Sequence, residues 1–155
     1  MPKIDTEPKL DFEQVLIRPK RSELNSRSEV DLTRSISFKK SGSTWTGVPI
    51  IAANMDSTGT LQVRECLQRY RILTALHKFH TPDDFSSFSP TDPSLIMISS
   101  GISEADFERL VATVNASNSD WICIDVANGY MNKLVEFCKR VRKTFPDKII
   151  VAGNV

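Results

Sequence analysis

Short apolar runs alternate with segments of helical spacing along most of this chain. Runs of this kind are typical of strands buried on both faces. They are Val48–Met55, Ile72–His77, Leu95–Ser100, Ile122–Val126 and Lys148–Ala152. Apolar residues recur at helical spacing in Thr60–Tyr70, Ser103–Val114 and Asn132–Phe145, and the second of these opens on Ser103 with Asp106 three positions later, close to a capping box. The alternation predicts an α/β fold with five parallel strands.

The chain before Val48 has a different pattern. Charged residues are dense between residues 18 and 31, and the segment SISFKK alternates as an edge strand does. We therefore expect residues 1–47 to form an N-terminal arm and a short hairpin. Thr81–Pro93 is rich in Pro, Asp and Ser, which predicts a loop with one helical turn.

Two architectures fit the alternation of strands and helices. One is a five-stranded doubly wound domain, and the other is part of a closed (β/α)8 barrel, which typically needs about 250 residues. Both are answers to the same difficulty, because the given sequence ends on an apolar run with no helix after it, and natural proteins avoid exposed apolar strand edges.

Composition narrows the class of protein further. The 155 residues are 40% hydrophobic and 25% charged with a formal net charge of +1, so we expect no nucleic-acid partner and no membrane partner. The three cysteines Cys66, Cys123 and Cys138 lie in apolar contexts, which predicts buried free thiols in a reducing cytoplasm rather than nucleophiles. His77 and His80 have no nearby cysteine pair, so no zinc site is expected.

Polar residues follow the predicted strands, where α/β folds place their ligands. They are Asn54–Ser57, His77–Lys78, Ser99–Gly101, Asp125–Gly129 and Gly153–Asn154. At any one position the ordinary alternative, a turn or cap residue, has about even odds. Lys78 stands where Gly or Asn is more usual in a turn, and Asp125 interrupts an apolar run where a carboxylate needs a partner, so both favour a binding role.

Ser26 and Arg27 form a weaker candidate in the arm. A guanidinium donates hydrogen bonds in pairs to phosphate oxygens, and a neighbouring hydroxyl adds another. On composition alone, a solvated basic arm is the more ordinary interpretation of these two residues.

Five segments together resemble one known family. They are Asp11–Arg34, Gly47–Thr60, Thr74–His80, Ile122–Tyr130 and Ile149–Val155, and they resemble GMP reductase, which shares a (β/α)8 fold with IMP dehydrogenase. The resemblance covers nearly the whole chain and is weakest in residues 81–103. It implies that residues 1–155 are the N-terminal part of one barrel domain, with the arm and hairpin in 1–47 and barrel strands in 48–155. The stretch between Lys78 and Asp125 is too short for the regulatory insert that IMP dehydrogenases usually carry.

The resemblance implies NADPH-dependent reductive deamination of GMP to IMP in purine nucleotide salvage, by a cytoplasmic homotetramer. A cysteine thiolate would add to C2 of the purine, ammonia would leave, and the covalent thioimidate would accept a hydride. Positions that match the family's NADPH contacts are Ser26 and Arg27, which reach a neighbouring subunit's cofactor, together with Lys78, Asp125, Val126 and Ala127. Asn54 and Met55 match the loop near the purine.

None of the three cysteines matches the family's nucleophile. That cysteine, its general-acid threonine and the monovalent-cation site are expected beyond Val155, so this chain holds no catalytic residue and no metal site of its own. We therefore expect residues 1–155 alone to fold poorly and to lack activity. The open alternatives are an inactive short form that associates with full-length subunits and an unrelated flavodoxin-like binding module, and the motifs argue against the second.

Overall fold

The computed structural model describes residues 4–86 and 92–154, and the chain divides into two compact units, Met1–Asp31 and Leu32–Val155. Described residues of the first unit are exposed and include two 3-10 turns, Phe12–Gln14 and Arg27–Glu29. Ser26 caps the second turn, since its hydroxyl oxygen accepts a 3.2 Å hydrogen bond from the backbone N–H of Ser28. Parts of the predicted arm (1–3), of the predicted loop (87–91) and of the final apolar run (155) lie outside the described residues.

A mostly parallel sheet forms the second unit. Its strands are β1 (Arg34–Ser37), β2 (Thr44–Ala52), β3 (Ile72–Leu76), β4 (Ile96–Ser100), β5 (Trp121–Asp125) and β6 (Ile149–Gly153). β1 pairs antiparallel with β2, and each later neighbouring pair is parallel. The predicted α/β class and its five parallel strands, now β2 to β6, are confirmed.

The first parallel strand begins earlier than the apolar run predicts. Residues Thr44–Gly47 pair with β1, and parallel pairing with β3 starts at Val48. One continuous strand thus serves both the hairpin and the parallel sheet. The alternating segment Thr44–Gly47 is polar at every second position, so it gave no buried-strand signal although Trp45 is buried.

Among the described residues, three α-helices connect the parallel strands: α1 (Leu61–Leu67), α2 (Glu104–Ser117) and α3 (Asn132–Thr144). The capping box at the start of α2 is present as predicted. The Asp106 N–H donates to the Ser103 hydroxyl at 3.1 Å, and the Ser103 N–H donates to the Asp106 carboxylate at 3.0 Å. In the described part of the predicted loop, Pro82–Phe85 form a 3-10 turn, and another one, Pro93–Leu95, begins at its last residue. Within residues 4–86 and 92–154, no helix has the length and apolar character needed to cross a membrane.

Two apolar clusters cover the two faces of the sheet. The helix-side cluster includes Ile96, Ile98, Ile122, Ile124, Leu110, Val114, Leu134, Phe137 and Val141. The tryptophan cluster on the opposite face consists of Trp45, Leu73, Ala75, Leu95, Met97, Trp121 and Ile149. The Trp121 ring meets Phe38 and Trp45 edge to face, at centroid distances of 5.1 and 5.6 Å.

The winding of the sheet decides between the two architectures. Strand order in the sheet equals strand order in the chain, and all three helices contribute to the helix-side cluster while none contributes to the tryptophan cluster. A doubly wound sheet reverses its strand order and carries helices on both faces. The open sheet, wound in one direction with helices on one face, has the arrangement of a partial (β/α)8 barrel.

Burial differs between the central and the outer parallel strands. Every residue of β4 is buried, and in β3 all but Ile72 are, as predicted. In β2 and β6 the prediction of burial on both faces is wrong, since Ile50, Ile51 and Val151 are exposed. Among the described strands, β6 pairs only with β5, and β1 pairs with β2 only as far as Gly47, so these exposed residues have a neighbouring strand on one side only and their apolar sequence does not guarantee burial.

The cysteines are less buried than predicted. Cys66 is exposed, because the buried position of α1 is taken by Arg64, whose guanidinium donates to the Asp92 carbonyl at 3.1 Å. Cys123 and Cys138 are half-buried and pack against the tryptophan cluster and the helix-side cluster, respectively. Burial raises the pKa of both thiols.

Candidate functional site

A small pocket lies at the carboxyl ends of the strands. Its volume is about 160 Å³, and its lining residues are Asn54, Asp56, His77, Lys78, Phe79, Ser99, Ser100 and Asp125.

 Pockets that enclose a whole drug-sized ligand measure about 300–1,000 Å³, so this one has room for only one end of a larger molecule. Of the eight lining residues, all but Phe79 belong to the polar ends of strands that the sequence singles out. Nothing in the sequence marks Phe79, an exposed aromatic residue just past the end of β3.

One hydrogen bond joins strand ends that are not neighbours. The Asn54 side-chain amide, in the loop after β2, donates to the Asp125 carboxylate at the end of β5 over 3.0 Å. In a flat sheet these two strands would lie roughly 14 Å apart, three spacings of about 4.8 Å. The contact therefore requires a strongly curved sheet, and the pocket lies inside the curve.

The Asp125 carboxylate has a hydrogen-bond partner, Asn54, as its position in an apolar run predicts, although Asp125 itself is not buried. β5 ends at this residue, so its side chain emerges from the sheet and is exposed. The carboxylate is thus available to a ligand while Asn54 holds it in place. An exposed carboxylate keeps most of its hydration and costs little to place there.

Lys78 follows β3 and lies on the rim of the pocket. Its side chain is exposed, and its ammonium lies 5.4 Å from the centroid of the Phe79 ring. The adjacent His77 ring stacks on His80 at a centroid distance of 4.2 Å. Burial and the neighbouring His77 lower the pKa of His80, and Asp84 only partly opposes this. The turn that carries Lys78 is thus built around a stacked histidine pair.

Ser99 lies deeper in the pocket than Lys78. It is 6% exposed, and its hydroxyl has no hydrogen-bond partner among the described residues. Ser99 is in register with Cys123 on the neighbouring strand. Burial raises the pKa of the Cys123 thiol and the Ser99 hydroxyl opposes that rise, so the two groups are close. Because sulfur is a weak hydrogen-bonding partner, the thiol does not replace the water that the hydroxyl lost on burial.

Gly59 sets the distance between the loop after β2 and the end of β3. A Cβ atom on Gly59 would lie 2.5 Å from the Ala75 carbonyl oxygen and 2.8 Å from the His77 nitrogen. Its own carbonyl accepts a hydrogen bond from the His77 N–H at 2.9 Å. The close approach keeps the Asn54 loop beside the His77–Lys78 turn.

We predict that Gly59→Ala in the complete gene product lowers the free energy of unfolding by about 1–3 kcal/mol, because the methyl group meets two backbone atoms that cannot move independently. Thermal or denaturant unfolding measures this. Gly153→Ala is the matched control, since a Cβ there meets no described residue within 4 Å. Equal losses in the two variants would contradict the close-packing argument.

The other predicted site residues lie outside the lining of this pocket. Met55, Val126 and Ala127 are next to lining residues in the chain, and the Ala127 carbonyl accepts a hydrogen bond from the Asn154 side chain at 2.9 Å. Ser26 and Arg27 are in the first unit, where Ser26 caps a turn and Arg27 is exposed. No group of three His, Cys, Asp or Glu side chains in residues 4–86 and 92–154 is arranged to hold a metal ion.

Comparison with known proteins gives relatives along the whole chain. A GMP reductase from Vibrio campbellii is 49% identical over 158 residues, which are 99% of this chain and 46% of that protein. GMP reductase 2 from Homo sapiens is 50% identical over 159 residues, which are 100% of this chain and 46% of that protein. The resemblance in the sequence motifs is thereby confirmed, and the chain spans about half the length of the curated relatives it matches. No protein-family model matches the chain.

A solved structure has a similar fold. The crystal structure of inosine 5′-monophosphate dehydrogenase from Legionella pneumophila aligns with a TM-score of 0.74 at 27% sequence identity, and the alignment covers 93% of this chain and 43% of that one. This similarity agrees with the partial-barrel arrangement of the sheet.

Proposed function

We propose that this chain is part of a GMP reductase, which converts GMP to IMP and ammonia with NADPH as the hydride donor. The observation that carries the proposal is the pocket at the carboxyl ends of the strands, where (β/α)8 barrels hold their ligands. Asn54, Lys78 and Asp125 meet there, and they occupy positions that match the family's cofactor and purine contacts. The whole-chain similarity to GMP reductases supports the same assignment.

We assign NADPH binding to Lys78, Asp125, Val126 and Ala127. The Lys78 ammonium is exposed and free to meet an anionic or carbonyl oxygen, and the Asp125 carboxylate can accept from an N–H group. The buried, unsatisfied hydroxyl of Ser99 between them fits a ligand that brings a hydrogen-bonding group into the pocket. When bound, NADPH would supply the hydride, while these residues bind and orient it.

The proposal places Asn54 and Met55 on the purine side of the same site. Asn54 donates to Asp125, so one hydrogen bond would connect the two sides. Ser26 and Arg27 would bind the phosphates of a cofactor held by a neighbouring subunit, which requires a homo-oligomer, and we propose a homotetramer. We place the enzyme in the cytoplasm and in purine nucleotide salvage.

The nucleophile of the proposed reaction is assigned to residues outside these 155, with its threonine and the monovalent-cation site. The three cysteines present are poorly suited to the role. Cys123 and Cys138 pack against apolar clusters and burial raises the pKa of both thiols, which disfavours the reactive thiolate. Cys66 is on α1 and does not line the pocket.

An assay of the complete gene product tests this proposal. Purified protein is mixed with GMP and NADPH, and loss of the reduced-nicotinamide absorbance is followed together with IMP and ammonia. We expect equal amounts of NADPH consumed, IMP formed and ammonia released, with no reaction when AMP replaces GMP. Residues 1–155 alone should give no turnover. Absence of GMP-dependent NADPH oxidation in the complete gene product would contradict the proposal.

A further inference from the structure

Ser99 is unusual among the buried serines of this fold. The Ser100 hydroxyl donates to the Gly101 carbonyl at 3.0 Å, and the Ser119 hydroxyl donates to the Ile96 carbonyl at 2.6 Å. The Ser99 hydroxyl has no carbonyl partner of this kind among the described residues, and the neighbouring Cys123 thiol is only a weak hydrogen-bonding group. Because a buried hydroxyl without a partner is destabilising, such a group commonly marks a place where another molecule completes the hydrogen bond.

The direction in which this hydroxyl points follows from the sheet. Side chains alternate between the two faces of a strand, so Ser99 shares its face with Met97, a member of the tryptophan cluster. The pocket that Ser99 lines lies on that face, beyond the apolar cluster. Any partner for the hydroxyl therefore enters through the pocket and not from the helix side.

The size and charge of the pocket limit what that partner is. A volume of about 160 Å³ holds one ring with a small substituent. The carboxylates of Asp56 and Asp125 line the pocket beside the single ammonium of Lys78, so the lining has no excess of positive charge to favour a phosphate group. The part of NADPH that meets both limits is the nicotinamide ring, whose carboxamide is neutral and has one carbonyl acceptor and two N–H donors.

Resting on the proposed function, we propose that the Ser99 hydroxyl donates a hydrogen bond to the carbonyl oxygen of the nicotinamide carboxamide. The acceptor oxygens of Asp125 are then available for the carboxamide N–H group, so Ser99 and Asp125 form hydrogen bonds with opposite sides of one amide group. Ser99 in this role is a specificity-determining residue for the cofactor.

Cofactor analogues test the contact in the complete gene product. We expect Ser99→Ala to raise the Kd for NADPH about tenfold, measured by fluorescence titration without GMP, and to lower kcat/KM by the same factor, the size of one lost hydrogen bond. With the thionicotinamide analogue, whose sulfur is a weaker acceptor, the same change should cost less than about threefold. With the acetylpyridine analogue, which keeps the carbonyl oxygen and lacks the N–H group, the loss should again be about tenfold. Equal losses with NADPH and the thio analogue would overturn the proposal.

Thr74→Val is the matched control. Thr74 also has a buried hydroxyl without a partner among the described residues, but it does not line the pocket. Its removal should leave the ratio of activities with the three cofactors unchanged. A change in that ratio equal to that of Ser99→Ala would also overturn the proposal.

Two further measurements keep the result interpretable. The thermal unfolding temperature of Ser99→Ala should equal or exceed that of the wild type, because the variant removes a buried hydroxyl that has no partner in the described part of the chain. If that variant does not fold, Ser99→Cys keeps the size of the side chain and should show the same dependence on the analogue. Failure of the wild type to oxidise NADPH with GMP would refute the proposed function itself. If the wild type is active but the Ser99 variants lose the same activity with NADPH and with the thio analogue, the Ser99 contact alone is refuted.

Discussion

Lys78→Ala in the complete gene product is expected to slow NADPH oxidation by about tenfold to a hundredfold while leaving ammonia release from GMP intact. Lys78 is on the rim of the pocket, and the proposal assigns it to the cofactor. Cysteine addition and loss of ammonia do not consume the hydride, so the two halves of the reaction should separate. Single-turnover ammonia release without NADPH, compared with steady-state NADPH oxidation, measures both halves.

Lys143→Ala is the control for the loss of one exposed lysine. Lys143 is on α3 and does not line the pocket, so neither half-reaction should change. If Lys78→Ala abolished ammonia release as well, Lys78 would belong to the nucleotide side of the site instead.

Arg27→Ala should raise the KM for NADPH about tenfold to a hundredfold and leave the KM for GMP nearly unchanged. A charge-assisted contact between a guanidinium and a phosphate is worth about 1.5–3 kcal/mol, which corresponds to that range of affinity. Arg27 is exposed in a turn capped by Ser26, so its side chain is available to a ligand. Steady-state kinetics with each substrate varied in turn gives both constants.

Arg21→Ala is the matched control, because Arg21 is an exposed arginine of the same unit that the proposal leaves without a role. Its KM for NADPH should stay close to that of the wild type. Similar increases in both arginine variants would indicate a general effect of positive charge, and equal effects of Arg27→Ala on NADPH and GMP would contradict its cofactor role.

The central strands of the fold are predictable from sequence because their burial is complete. β4 is apolar until its two final serines and buried throughout, so the pattern and the environment agree. In β2 and β6, the apolar pattern and the burial of the residues no longer agree. β2 extends back into the hairpin through polar residues, and Ile50 and Val151 are exposed although apolar. Hydropathy alone does not tell which part of a strand is left uncovered in the folded sheet.

Helix α1 shows a second limit of predicting burial from sequence. Its spacing of apolar residues placed Cys66 in the core, yet Arg64 holds the buried position. A long side chain can cover apolar surface with its methylene groups and satisfy its guanidinium at a distant carbonyl, here that of Asp92. Sequence periodicity does not identify such a partner 28 residues along the chain.

The sequence predicts which strand ends form the site, but it does not predict the contacts between their side chains. Parallel strands bring their carboxyl ends to one edge, which is why Lys78 and Asp125 were expected together. The hydrogen bond between Asn54 and Asp125 depends on the curvature of the sheet, and the missing partner of Ser99 depends on the depth of its burial. Neither property has a signature in the order of the residues.

The agreement between strand order in the sheet and strand order in the chain has a consequence for folding during synthesis. Each new strand pairs with the strand made just before it, so its partner has already left the ribosome when it emerges. Connections of this kind keep contacting residues close in sequence, which favours rapid formation. The sheet can therefore grow one strand at a time, and the Asn54 side chain meets Asp125 as soon as β5 has been added.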